Sequence, residues 1–193
     1  DGKIADKNLG EDIPKGYEVY DAKGQYVVPG FIDVHTHGAV NVDVNAARAE
    51  DFRRLSRFFA SQGTTSWLCS ILTDTKEQTL WCIGEYNKQK TLELDGAKLI
   101  GIHLEGPFLS ANYKGAMPEH LLIPADMDLI KEYQKAAHGD VRYITVSPEI
   151  KGIPECIKEF VDLGIVVAIG HSGANYETAM ECIENGATST THT

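Results

Sequence analysis

The sequence predicts an α/β protein: a partial TIM-like (β/α)8 barrel with about six of the eight strands, preceded by part of a small β domain. Three observations predict it. Strand-like and helical patterns alternate in order from residue 31 to residue 193. The fifth strand-like run, residues 165–169, is continuous and apolar, as a strand buried on both faces should be. Histidines and a glutamate recur at the carboxyl ends of those runs, where a closed barrel gathers such residues at one mouth.

Residues 1–30 are Gly-rich, with strand-like pieces at Tyr17-Glu18-Val19-Tyr20 and Gln25-Tyr26-Val27-Val28. Turn signals at Lys15-Gly16 and Lys23-Gly24 separate them, so this stretch reads as part of a small β-sandwich domain. Residues 31–193 then form the barrel unit. Residues 31–34 are its first strand, and 49–62 a helix with Phe52, Leu55, Phe58 and Phe59 on one face and Gly63 as its cap. A β-branched and aromatic strand follows at 64–68, then a helix at 76–86 with Leu80, Ile83 and Tyr86 in phase. Residues 97–104 are the third strand, 126–137 a helix, 141–146 the fourth strand and 154–163 a helix closed by Gly164. The fifth strand is 165–169, the next helix 176–184, and 188–191 begins a sixth strand. Trp67 and Trp81 fall on apolar faces and pack the core.

Open doubly wound sheets and closed barrels both satisfy this alternation. The strand ends decide between them. His35 and His37 follow the first strand, His103 and Glu105 close the third, His171 closes the fifth and His192 the sixth. An open sheet would spread these groups along a line, whereas a barrel brings them together.

The chain has 193 residues, 42% of them hydrophobic, and a net charge of −10 with no basic patch. That balance excludes a phosphate-backbone reader, so no nucleic acid partner is expected. Cys69, Cys82, Cys156 and Cys182 show no Cys-x-x-Cys pairing and suit a reducing compartment. No apolar run approaches the length of a membrane span and no signal peptide is apparent, so the expectation is a cytoplasmic protein without membrane contact.

His35 and His37 lie two apart after an apolar run, and strand alternation would point both rings the same way. Glu105 precedes Gly106-Pro107, which breaks the ladder and leaves the carboxylate at a rim. With His171 and His192, the set offers imidazoles and a carboxylate to a divalent metal, with zinc favoured and iron, manganese or cobalt also suited. Such an ion acidifies water and polarises a carbonyl, as amide hydrolysis requires. A general base is also needed. Asp33 shares the side of His35 and His37 but deeper in the barrel, and no convincing base lies within the chain. His103 shares the face of Glu105 and reads as a buried, hydrogen-bonded core residue or as a group supporting the site. His120 and His138 read as exposed, and Asp140 and Glu149 as charges at element ends.

Pro29-Gly30-Phe31-Ile32-Asp33-Val34-His35-Thr36-His37-Gly38 resembles the opening metal motif of the amidohydrolase superfamily. The segments 103–109, 114–116, 147–149, 170–172 and 186–192 are similar, in order and spacing, to the N-acetylglucosamine-6-phosphate deacetylases. The resemblance implies that Glu105, His171 and His192 bind the principal metal, and that His35 and His37 bind a second ion with the glutamate shared. It implies that the backbone around Ala116 contacts the sugar, and that the reaction removes acetate from N-acetylglucosamine 6-phosphate in amino-sugar catabolism. A homodimer is the implied assembly. N-acetylgalactosamine 6-phosphate as substrate, or a non-catalytic metal-binding fragment, are the alternatives.

The sequence departs from that pattern in three ways. Met117 stands where the family usually has a substrate-engaging histidine, with His120 three residues on as a substitute. Thr193 follows His192 where leucine is common. The family's general-base aspartate and most phosphate-holding groups would fall beyond residue 193, so the chain reads as an incomplete barrel that binds metal weakly and catalyses nothing by itself. A dihydroorotase-like or hydantoinase-like enzyme is disfavoured, because residues 141–146 offer no metal-bridging lysine at their end.

Overall fold

A computed structural model of the protein describes residues 15–92 and 95–192. Residues 1–14 of the expected β domain, and Thr193, lie outside the described residues. The main sheet has six parallel strands: β1 (Phe31–Asp33), β4 (Thr64–Leu72), β5 (Lys98–Glu105), β6 (Val141–Val146), β7 (Val166–Ile169) and β8 (Ser189–Thr190), hydrogen-bonded in that order. The sheet curls into part of a barrel. Adjacent strands lie about 4.8 Å apart, so the ends of the first and last would be separated by roughly 24 Å in a flat sheet. Yet the rings of His35 and His192, just beyond those two strands, have centroids 5.1 Å apart.

The helices are α1 (Asp51–Ser61), α2 (Lys76–Gln89), α3 (Met127–Ala136), α4 (Ile153–Asp162) and α5 (Tyr176–Glu184). Three begin at side chains that accept an otherwise orphaned amide: Thr75 from Gln78, Asp126 from Leu129, and Asn175 from Thr178. α1 ends at Gly63, whose positive φ of 85° suits a left-handed cap. Its buried face, Phe52, Leu55 and Phe59, closes on the fully buried Trp67. Phe59 lies 4.8 Å from Trp67 between ring centroids, and Ser56 Oγ accepts the indole N–H. Trp81 is half-buried against the same core.

Alternation gives the central strands two different faces. Cys69, Ile71, Ile102, Leu104, Ile144 and Val146 join the hydrophobic cluster shared with the helices. The intervening Ser70, His103, Glu105 and Thr145 are equally buried but polar, and they face the barrel axis. β4 runs to Leu72, four residues past the expected end at 68, with Ser70 turned to the barrel axis between the apolar Cys69 and Ile71.

Two other expectations need correcting, and one element is new. β1 ends at Asp33, so His35 and His37 lie beyond its ladder. Tyr17–Tyr20 and Gln25–Val28 form no strand among the described residues; both turns are present, but Tyr20 and Tyr26 are more than 90% exposed and no neighbouring strand supplies a ladder. A short hairpin, β2 (Gly38–Ala39) with β3 (Val42–Asp43), was not anticipated. Its turn residues Val40 and Asn41 have φ of 48° and 61°, the conformation of a type I′ turn, for which Asn-Gly is the recognisable signal. A β-branched valine there is unusual; the Arg54 guanidinium donates to its carbonyl oxygen.

Candidate metal centre

Glu105 is 2% exposed at the end of β5, and its carboxylate is the hub of the barrel mouth. Oε1 lies 3.0 Å from His171 Nε2, 3.0 Å from His192 Nε2 and 3.3 Å from His35 Nε2. Oε2 lies 2.8 Å from His37 Nε2. The structure thus brings together all five side chains expected at the site, as two triads, His35–His37–Glu105 and Glu105–His171–His192, whose ligand atoms lie within 4.8 Å of one another.

Each side chain is delivered differently. Beyond β1 the chain stays alongside β4: Ser70 N–H donates to Thr36 O, and Thr36 N–H donates to Ser70 Oγ. This contact, rather than a continued strand, turns His35 and His37 to the same point. Two residues further along β4, the Asn45 side chain takes over as a substitute strand, accepting from Leu72 N–H and donating to Leu72 O. His171 and His192 both have left-handed backbone, with φ of 50° and 60°. Ser147 Oγ lies 2.7 Å from His171 O and 3.0 Å from Gly170 O. Glu149 accepts from Ser172 Oγ and from Gly173 N–H at 2.6 and 2.7 Å, so this charge holds the His171 loop rather than merely ending an element.

The hydrogen bonds behind the imidazoles fix their chemistry. His37 Nδ1 faces Ser70 O at 3.1 Å and His171 Nδ1 faces Tyr113 O at 2.8 Å. A carbonyl only accepts, so each Nδ1 carries a proton, and the neutral ring then presents a bare Nε2 lone pair. Those lone pairs point at carboxylate oxygens, and His35 Nε2 and His37 Nε2 lie 3.0 Å apart. Acceptors packed this closely need a cation or extra protons among them. Burial alone would raise the Glu105 carboxyl and lower the His37 imidazole. The hydrogen bonds and charge between Glu105 and the imidazoles outweigh burial, holding Glu105 well below the usual carboxylate range and raising His37.

The donor set fits a divalent ion. Four imidazoles and one carboxylate suit zinc, and also iron, manganese or cobalt. Metal–ligand bonds of about 2.0–2.1 Å place tetrahedral ligands roughly 3.3 Å apart, close to the 2.8–3.3 Å separations here.

An open cavity of about 900 Å³ lies over these groups, walled also by Gly115, Ala116 and Met117. Ala116 is exposed at its edge and Met117 is buried. His120 and His138 are exposed as expected, and His120 does not reach the cavity. Asp33 Oδ1 accepts from the His35 N–H. All four cysteines are free thiols. Among the described residues no helix is long and apolar enough to cross a membrane. The supports from Thr36, Asn45 and the Tyr113 carbonyl escaped sequence reasoning, because backbone carbonyls and isolated polar residues carry no pattern.

Comparison with known proteins agrees with this geometry. Residues 18–68 match a model of the amidohydrolase family. The chain is 31% identical over its full length to N-acetylglucosamine-6-phosphate deacetylase of Lysinibacillus sphaericus, covering 49% of that protein. It is 35% identical to that of Bos taurus, with 99% of the chain matched to 48% of the relative. It spans about half the length of these curated relatives. Among solved structures, the deacetylase of Pasteurella multocida superposes with a TM-score of 0.84 at 28% identity, over 94% of this chain and 47% of that one. A variant of the Mycobacterium smegmatis enzyme, in complex with N-acetyl-D-glucosamine-6-phosphate, gives 0.79 at 34% identity, over 86% and 42%.

Proposed function

We propose that the five convergent side chains of this chain, which is similar to the N-acetylglucosamine-6-phosphate deacetylases in sequence and in fold, hold one or two divalent ions. In this reading Glu105, His171 and His192 hold the principal ion, and His35 and His37 a second that shares Glu105. Zinc suits the donors best. The observation that carries the reading is the single buried carboxylate set against four Nε2 atoms.

The activity proposed is hydrolysis of the N-acetyl group of N-acetylglucosamine 6-phosphate to glucosamine 6-phosphate and acetate. A bound ion supplies an acidified water and a polarised amide carbonyl. The chain's own residues do the rest. Ser70 O and Tyr113 O hold His37 and His171 in the ligating tautomer, and Glu105 stays ionised. The backbone at Ala116, on the cavity wall, contacts the sugar. Met117 adds an apolar surface and no hydrogen-bond donor. Glu105 is the only carboxylate lining the cavity among the described residues, and it is occupied by the imidazoles, so the proton acceptor is a group other than these. A cytoplasmic homodimer, with residues 31–193 as its barrel unit, completes the reading.

Elemental analysis after zinc loading tests the metal site. We expect about one or two equivalents in the wild type and none in Glu105→Gln; equal content in the two proteins would overturn the assignment. Acetate release from N-acetylglucosamine 6-phosphate by the zinc-loaded protein tests the activity. Zinc binding without acetate release would restrict the proposal to metal binding.

A further inference from the structure

Beneath the two triads runs a row of buried polar side chains that the proposed reaction does not use. Ser70, His103 and Thr145 are fully buried and Thr191 is 8% exposed. Thr36 N–H lies 2.9 Å from Ser70 Oγ, and Ser70 Oγ lies 2.8 Å from His103 Nδ1. His103 Nε2 lies 2.9 Å from Thr145 Oγ1, which lies 2.9 Å from Thr191 Oγ1. The ends of this row are informative. Thr36 sits between His35 and His37, and Thr191 immediately precedes His192. The row therefore crosses β4, β5 and β6 and joins the segment carrying one triad's imidazoles to a segment carrying the other's.

Its polarity follows from donor bookkeeping. A backbone N–H only donates, so Ser70 Oγ accepts from Thr36. The Ser70 hydroxyl proton then goes to His103 Nδ1; were Nδ1 protonated, two donors would converge on Ser70 and its own proton would lack this buried acceptor. His103 consequently carries its proton on Nε2 and donates to Thr145, whose hydroxyl passes on to Thr191. Buried hydrogen-bond rows oriented in one sense reinforce one another.

We propose that His103 is a positioning residue: a neutral imidazole, protonated at Nε2, that ties the His35–His37 segment to the His192 segment and so sets the spacing of the two triads. The role rests on the metal-site reading above. The His103 ring also packs edge-on against His35, with centroids 4.6 Å apart, so the same side chain fixes a ring of one triad directly. Glutamine at 103 would retain one donor and one acceptor, whereas leucine would remove both.

Two measurements test this. Nitrogen-15 NMR of the metal-free protein reads the His103 tautomer; the Nε2–H form is expected, and the Nδ1–H form would overturn the row as drawn. Zinc titration then compares wild type, Ser70→Ala and Thr145→Val. Ser70→Ala should weaken the His35–His37–Glu105 site about ten- to a hundredfold, and Thr145→Val should weaken the Glu105–His171–His192 site by a similar factor. His103→Leu should weaken both, with His103→Gln recovering part of the loss. Wild-type affinities at both sites in all variants would refute the positioning role while leaving the metal reading intact. Failure of the wild type to take up zinc would refute the metal reading itself, and the positioning role with it.

Discussion

The two imidazole pairs around Glu105 reach the same point by opposite means. His35 and His37 sit on chain laid along β4, held by Thr36 and Ser70 through contacts that imitate a sheet ladder. His171 and His192 sit on left-handed residues past β7 and β8. There the Ser147 hydroxyl and the Glu149 carboxylate hold the His171 loop, while the His192 side chain is 57% exposed. The first pair inherits its geometry from the sheet. The second depends on individual side-chain clamps, and such contacts are easier to break one at a time.

Glu105→Gln should have the largest effect, because it removes the charge that both pairs share; zinc content measured after gel filtration should fall to none. Next in size, His37→Ala should abolish only the His35–His37–Glu105 site, and His171→Ala only the other. A titration that loses both sites with either variant would show that the pairs are not separable. Gly170→Ala strikes the clamped side through packing. An added Cβ would lie 2.6 Å from Thr191 Cβ and 2.9 Å from Thr145 Cγ2. A loss of about 1–3 kcal/mol in thermal or denaturant unfolding is expected, together with weaker zinc at the Glu105–His171–His192 site.

Glu149→Ala removes an exposed clamp, so its zinc affinity at that same site should drop about tenfold with little change in stability. The smallest effect belongs to a control remote from the metal groups. Asp140 would be raised by its partial burial, but hydrogen bonds from Lys90 and Tyr86 hold it below its ordinary value. A depressed carboxyl stabilises the fold above its unfolded pKa and loses that contribution as pH falls through the folded value. Asp140→Asn should therefore cost about 1 kcal/mol or less at pH 7, and the difference from wild type should vanish in strong acid, with zinc binding at neutral pH untouched.

Much of the fold and of the ligand set was legible in the sequence. The apolar periodicity placed all five helices and the strands along the chain, and the strand ends pointed to a barrel and named every member of the two triads. What the sequence hid was local and polar. The expected strand stops at 68, yet Ser70 lies within β4, faces the barrel axis and bonds both Thr36 and His103. Val40 gave no turn signal because valine rarely adopts positive φ. Glu149 reads from the sequence as a charge at an element end because its partners, Ser172 and Gly173, are near it only after folding.

The left-handed backbone at 171 and 192 restricts which ligands could ever replace the histidines. Among side chains with a metal-binding atom, only histidine, aspartate and asparagine tolerate that conformation with any frequency. A designer seeking a softer thiolate site, or a longer glutamate arm, would be opposed by the main chain before any coordination chemistry began. At 35 and 37 the backbone is not left-handed and imposes no such filter. Re-engineering toward a different ion is therefore better begun on that side of the mouth, where ligand identity can be varied without contesting the backbone.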